Sequence, residues 1–152
     1  MSDGTTDLTA LLAESSIRLS ESAASRDDAI RLAGAALVEA GAVDASYVDA
    51  MLEREQSVST YVGEGVAIPH GTLAGKDSVR QDALVVLRFP EGVDWDGNHV
   101  SVAVGIAAKG NGHIALLSAL AEVLMDPDKA AALRSAETPA AVYELLSDTD
   151  AD

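Results

Sequence analysis

No cysteine occurs among the 152 residues, so neither a disulfide framework nor a thiolate metal site is available. Lysine is nearly as scarce: Lys76, Lys109 and Lys129 are the only three. The first thirty residues hold neither a basic stretch nor a long apolar one, so no signal peptide is expected. The longest mostly apolar run, 100–108, is far short of the roughly 20 residues that a membrane-spanning helix needs. Internal repeats and low-complexity linkers are missing too. These absences exclude secreted disulfide scaffolds, zinc-thiolate domains and membrane spans, and they predict one soluble, cytoplasmic domain.

What is present agrees with a folded domain. Hydrophobic residues make up 48% of the chain, enough for a sizeable core at this length. Acidic residues number 25 against 10 basic, a net charge of −15. Such a field repels nucleic acid and anionic membranes and favours basic partners. Many carboxylates with few lysines also resemble the usage of salt-loving organisms, so most of this charge reads as an acidic, halophilic-like hydrated surface.

Helix and strand signals alternate along the chain. Ile17-Arg18-Leu19 reads as an edge strand behind a polar segment over 1–15. Ser25-x-x-Asp28 is a capping-box pattern in front of Ile30, Ala33 and Leu37, with Gly41 as the stop. Asp44 is placed to cap a second helix that ends near Arg54 with Tyr47, Val48, Met51 and Leu52 on one face. The β-branched run 83–89 predicts a strand. Pro90-Glu-Gly92 and Asp96-Gly97-Asn98 read as turns around Trp95, and 100–108 as a buried strand. A helix carrying Ile114, Leu117, Leu120, Ala121 and Leu124 follows the break at Lys109-Gly-Asn-Gly112. Asp126-Pro127 and Thr138-Pro139 open two short terminal helices, the last burying Val142, Tyr143 and Leu146. Interleaved elements predict a single α/β domain with a mixed central sheet of about five strands flanked by α-helices over 16–147, followed by an acidic tail, 148–152.

The candidate chemistry centres on Ile68-Pro69-His70-Gly71. Proline ends the short apolar run 66–68, so His70 stands just past a strand end. Gly71 leaves room for a phosphate or another backbone to approach. His113 falls in the first turn of a helix after a buried strand, where unpaired N–H groups favour an anion. If the two strands are neighbours open to the same side, the imidazoles can share one site with Arg54. Imidazole is nucleophilic near neutrality, and phosphoryl transfer demands positioning and charge stabilisation, so the trio suits that chemistry. The bland readings are a solvated loop histidine, a surface histidine in a first turn, and an arginine at ease near a helix C-terminus. His99 reads as an exposed residue after a turn. Gly63-Glu-Gly65 lacks the Lys-Ser/Thr of a P-loop, and the histidine spacing fits no zinc motif, so no metal is expected.

The stretch 54–72, together with Phe89-Pro-Glu-Gly-Val-Asp-Trp95 and 105–118, resembles the enzyme IIA domain of the mannitol/fructose class. That domain belongs to the phosphoenolpyruvate-dependent sugar phosphotransferase system, and the resemblance runs from Ser16 to Leu146. It implies a mixed five-stranded sheet flanked by helices and no cofactor. It also implies that His70 takes a phosphoryl group on Nε2 from the carrier HPr and passes it to a cysteine of enzyme IIB. His113 would support the phosphoryl group and Arg54 would neutralise its charge. IIB is expected on a separate chain, with membrane enzyme IIC involved only indirectly and no nucleic acid. Glu64 departs from the Asn common in relatives and would put negative charge near the phosphoryl path. By resemblance the sugar is fructose or mannitol, with fructose the first choice if the acidic surface marks a salt-loving host. The alternative is a nitrogen-type IIA module that regulates through its phosphorylation state without transport.

Overall fold

In a computed structural model, residues 11–57, 59–71, 77–108 and 112–147 are described, the side chains of 112–117 and 147 excepted. Helix α1 (Arg26–Glu39) begins as its capping pattern requires: Ser25 Oγ accepts from the Asp28 N–H at 3.2 Å. At its other end Gly41, at φ 78°, lets the Ala42 N–H return to the Leu37 carbonyl at 3.1 Å. Ile30, Ala33 and Leu37 are fully buried beneath it.

Five strands form one sheet in the order β1-β4-β5-β3-β2. They are β1 (Leu12–Arg18), β2 (Tyr61–Gly63), β3 (Val66–Ala67), β4 (Ala83–Trp95) and β5 (Asn98–Ala107). β4 and β5 are an antiparallel hairpin, β1 runs parallel to β4, and β3 runs parallel to β5. Helices α1 and α2 (Ser46–Ser57) cover one face, burying Ile30, Leu37 and Met51 on Val85, Leu87 and Trp95. Helices α3 (Gly112–Leu124), α4 (Pro127–Arg134) and α5 (Pro139–Ser147) cover the other, burying Leu120, Leu133 and Leu146 on Val86, Val104 and Ile106. Both faces of β4 and β5 are therefore apolar, which is why their sequences read as nearly continuous hydrophobic runs.

Several boundaries differ from the sequence expectation. The edge strand β1 starts at Leu12, inside the segment read as polar, because its register shifts between Leu12 and Ile17 and the intervening Ala13-Glu14-Ser15 are exposed. Pro90-Glu-Gly92 is no turn. β4 continues through it with a shift of register between Arg88 and Val93, where proline has no N–H to give and Gly92 takes φ 77°. The chain reverses only at Asp96-Gly97, both at positive φ, between the paired residues Trp95 and Asn98. α2 runs on to Ser57, and the Asp44 carboxylate meets Arg80 Nε at 2.7 Å. On α3, Val123 is buried and Ala121 exposed, whereas Ile114 and Leu117 lie among the undescribed side chains. Tyr143 is half-buried and its hydroxyl donates to the Leu12 carbonyl at 2.6 Å. The residues before Leu11, residue 58, residues 72–76, residues 109–111 where a break is expected, and the acidic tail lie outside the described residues.

Candidate active site at the parallel strand ends

The condition that would unite the two histidines concerns β3 and β5. These strands are neighbours and parallel, pairing Val66 with Val102 and Ala67 with Ala103, and the same register carries past Pro69 to an isolated bridge between His70 and Ile106. Both chains therefore leave the sheet on one side. Gly112, the first residue of α3, follows Ile106 of β5 by six positions. His113 stands second in that helix; its side chain lies outside the described residues.

His70 is 7% exposed, which removes the reading of a solvated loop histidine. Its Nδ1 lies 2.9 Å from the Ile68 carbonyl oxygen. A carbonyl can only accept, so Nδ1 carries the ring proton and Nε2 holds the lone pair of the neutral imidazole. The local cause is Pro69: its fixed φ turns the chain so that residue 70 folds back over the carbonyl two positions earlier. On the sheet side, the Pro69 carbonyl accepts the Ile106 N–H at 3.0 Å.

Helix α2 borders this strand end. Tyr47, in its first turn, is buried, and its hydroxyl donates to the Ile106 carbonyl at 2.9 Å and accepts the Gly71 N–H at 2.9 Å. Burial raises the Tyr47 phenol above its ordinary pKa, keeping the donated proton in place. A Cβ on Gly71 would lie 2.6 Å from the Tyr47 ring, so Gly71 makes room for this side chain where a phosphate or backbone had been expected. Arg54 lies seven residues further along α2, two turns on and on the same face, in the last turn.

Next to Arg54, Glu55 is buried, at 2% exposure. It accepts three hydrogen bonds, from the Thr60 N–H at 2.8 Å, the Thr60 hydroxyl at 2.5 Å and Trp95 Nε1 at 2.8 Å. The Thr60 carbonyl in turn accepts the Ile68 N–H at 3.0 Å. A continuous chain of bonds thus links the end of α2, which carries Arg54, to the residue whose carbonyl orients His70. Sequence reasoning overlooked both Tyr47 and Glu55 as parts of the site. The one available signal was Glu55 itself, a carboxylate four residues beyond the buried Met51 and so on the same helix face.

Glu64 stands elsewhere. It is at φ 56° in the β2–β3 hairpin, its carboxylate 3.8 Å from Arg134 and its carbonyl bonded to the same guanidinium. Six residues of largely extended chain, at about 3.3 Å each, put it on the order of 15–20 Å from His70. Its expected influence on the phosphoryl path is therefore overturned. His99 is exposed, opposite Asp94 on the β4–β5 hairpin, with its ring lying where a Cβ of Gly92 would be.

Fold and site together define an α/β domain with a buried, tautomerically fixed histidine at the parallel ends of its sheet. The family model "Phosphoenolpyruvate-dependent sugar phosphotransferase system, EIIA 2" matches residues 10–149, and the chain belongs to that family. The mannitol-specific phosphotransferase enzyme IIA component of Staphylococcus aureus strain Mu50 is 41% identical over 141 residues, 93% of this chain and 98% of that protein. The mannitol-specific EIICBA component of Pasteurella multocida is 44% identical over 140 residues, 90% of this chain, and the chain spans only 22% of that longer protein. Among solved structures, the complex of enzyme IIA-Mtl and phosphorylated enzyme IIB-Mtl from Escherichia coli matches with a TM-score of 0.83 and 37% identity, covering 90% of this chain and 99% of that one. The chain is thus a IIA phosphocarrier, a phosphotransferase component of the sugar phosphotransferase system.

Proposed function

We propose that the chain is the IIA carrier of a mannitol phosphotransferase system, accepting a phosphoryl group on His70 Nε2 from phosphorylated HPr and passing it to a cysteine of enzyme IIB. The observation that carries this reading is the 2.9 Å bond from His70 Nδ1 to the Ile68 carbonyl, which leaves the nucleophilic pair on Nε2. In the accepting step Nε2 attacks phosphorus, the donor's P–N bond breaks, and the donor imidazole leaves with the electron pair. Positive charge grows on the His70 ring as the new bond forms, and the Ile68 carbonyl facing Nδ1–H stabilises it without reorganising. Arg54 supplies guanidinium donors to the phosphoryl oxygens, and His113 at the α3 N-terminus supports the same group. In the donating step a cysteine thiolate displaces His70 from phosphorus and the ring returns to neutrality.

Enzyme IIB as acceptor is supported by the Escherichia coli neighbour, whose structure is a complex with phosphorylated IIB, and by the fused Pasteurella relative. Mannitol takes precedence over fructose because both reported relatives are mannitol-specific. The same names favour transport over the regulatory nitrogen-type alternative. Incubation with phosphoenolpyruvate, enzyme I and HPr tests the proposal by intact mass. One acid-labile phosphoryl group is expected on the parent protein and none on His70→Ala. A folded parent that gains no phosphoryl group, or a His70→Ala protein that still gains one, overturns it.

A further inference from the structure

The Tyr47 hydroxyl fills a place in the sheet that main chain would ordinarily occupy. In a parallel pair, the residues flanking a bridged position bond to the neighbouring strand on either side of it. Beside His70 the first of these rungs is direct, from the Ile106 N–H to the Pro69 carbonyl at 3.0 Å. The second would join the Gly71 N–H to the Ile106 carbonyl. There the phenol intervenes, accepting from Gly71 and donating to Ile106, each at 2.9 Å. Its ring packs against Gly71 so closely that a Cβ there would fall 2.6 Å from Cε1.

We propose that Tyr47 is a positioning residue for His70: its hydroxyl is the spacer that sets how far the chain leaving His70 stands from β5, and so where Nε2 faces. This rests on the reading of His70 as phosphoryl acceptor. Its hydroxyl acts through backbone, on the Gly71 N–H and the Ile106 carbonyl. In Tyr47→Phe the Gly71 N–H is free to close directly on the Ile106 carbonyl. The ladder then survives while His70 turns with the shortened rung. A misplacement of about 1 Å at a reacting atom can cost up to roughly a hundredfold in rate.

The test compares single-turnover phosphorylation by excess phosphorylated HPr in the parent, Tyr47→Phe and Val48→Ala. Val48 is the next residue of α2 and packs on Gly34 of α1, so its truncation loosens the helix without altering the rung. Tyr47→Phe is expected to lose about tenfold or more in the rate at saturating HPr, with the half-saturating HPr concentration unchanged. The 15N resonances of the His70 ring should shift in the same variant. Val48→Ala is expected to keep the parental rate while melting at lower temperature. A parental saturating rate in Tyr47→Phe, or an equal loss in both variants, overturns the positioning role. A parent that is not labelled removes the acceptor reading and this proposal with it.

Discussion

Glu55 and Trp95, forty residues apart in the chain, are joined by a 2.8 Å hydrogen bond from the indole Nε1–H to Oε2. With the two bonds from Thr60, the contact ties the last turn of α2 to the start of β2 and the end of β4. A carboxylate this buried is tolerated because three donors surround it.

Removing that carboxylate leaves all three donors buried without their acceptor, at roughly 1–3 kcal/mol each, so Glu55→Ala is expected to lose about 3 kcal/mol or more of stability in urea unfolding. Trp95→Phe retains both Thr60 bonds and is expected to cost about 1–2 kcal/mol. Trp95 is the only tryptophan, so its emission should also shift in Glu55→Ala, reporting the loss of the bond directly. Equal stability of parent and Glu55→Ala would contradict this account of the network.

His113 and Arg54 are assigned to support of the phosphoryl group, so neither is required for the bond to form. His113→Ala is expected to become phosphorylated slowly or to lose the label quickly, whereas Arg54→Ala is expected to slow labelling by about 10²-fold through lost charge stabilisation. Time courses of label gain and decay separate both from His70→Ala. Parental kinetics in both variants would remove their roles.

The raised Tyr47 pKa carries a sign. Folded protein holds the phenolic proton above pH 10.0, where the unfolded chain releases it, so the native state binds more protons and stability falls as pH rises. The contribution is whole below about pH 10 and is lost as pH climbs through the folded pKa. Tyr143 is raised in the same direction by desolvation, with Glu14 adding to it, so Tyr47→Phe is expected to flatten the alkaline loss only in part. Denaturant midpoints between pH 8 and pH 11 check this. An unchanged slope in the variant would mean that the buried phenol is not linked to unfolding.

Gly105 lies where α1 presses on β5. A Cβ there would stand 2.7 Å from Val85 Cγ2 and 3.2 Å from Ala33 Cβ. Gly105→Ala is therefore expected to destabilise by about 1–3 kcal/mol, read as a lowered melting temperature, despite alanine's better intrinsic propensity. A variant as stable as the parent would show that the helix can stand off the sheet without cost.

Local signals were legible wherever neighbouring residues carry them. Ser25 with Asp28, Gly41, Asp96-Gly97 and the Pro-initiated helices all act over a few bonds, and each behaves in the fold as its chemistry dictates. β1 was placed too late because its shifted register breaks alternation, and Pro90-Glu-Gly92 looked like a turn because a proline-bearing bulge and a turn share composition. Glu64 seemed close to the phosphoryl path because it is near His70 in sequence, yet an extended strand turns six residues into distance.

The sequence by itself determined which groups are available for chemistry: a histidine fixed behind a proline, a second at a helix N-terminus, an arginine in a last turn, and no thiol. Tertiary structure alone decided that β3 and β5 are parallel neighbours, that Gly71 accommodates Tyr47, and that Glu55 binds Trp95. These pairings join residues from 24 to 40 positions apart. Periodicity and capping report only on the nearest few residues, whereas long-range bonds form only once the sheet has set the register of its strands.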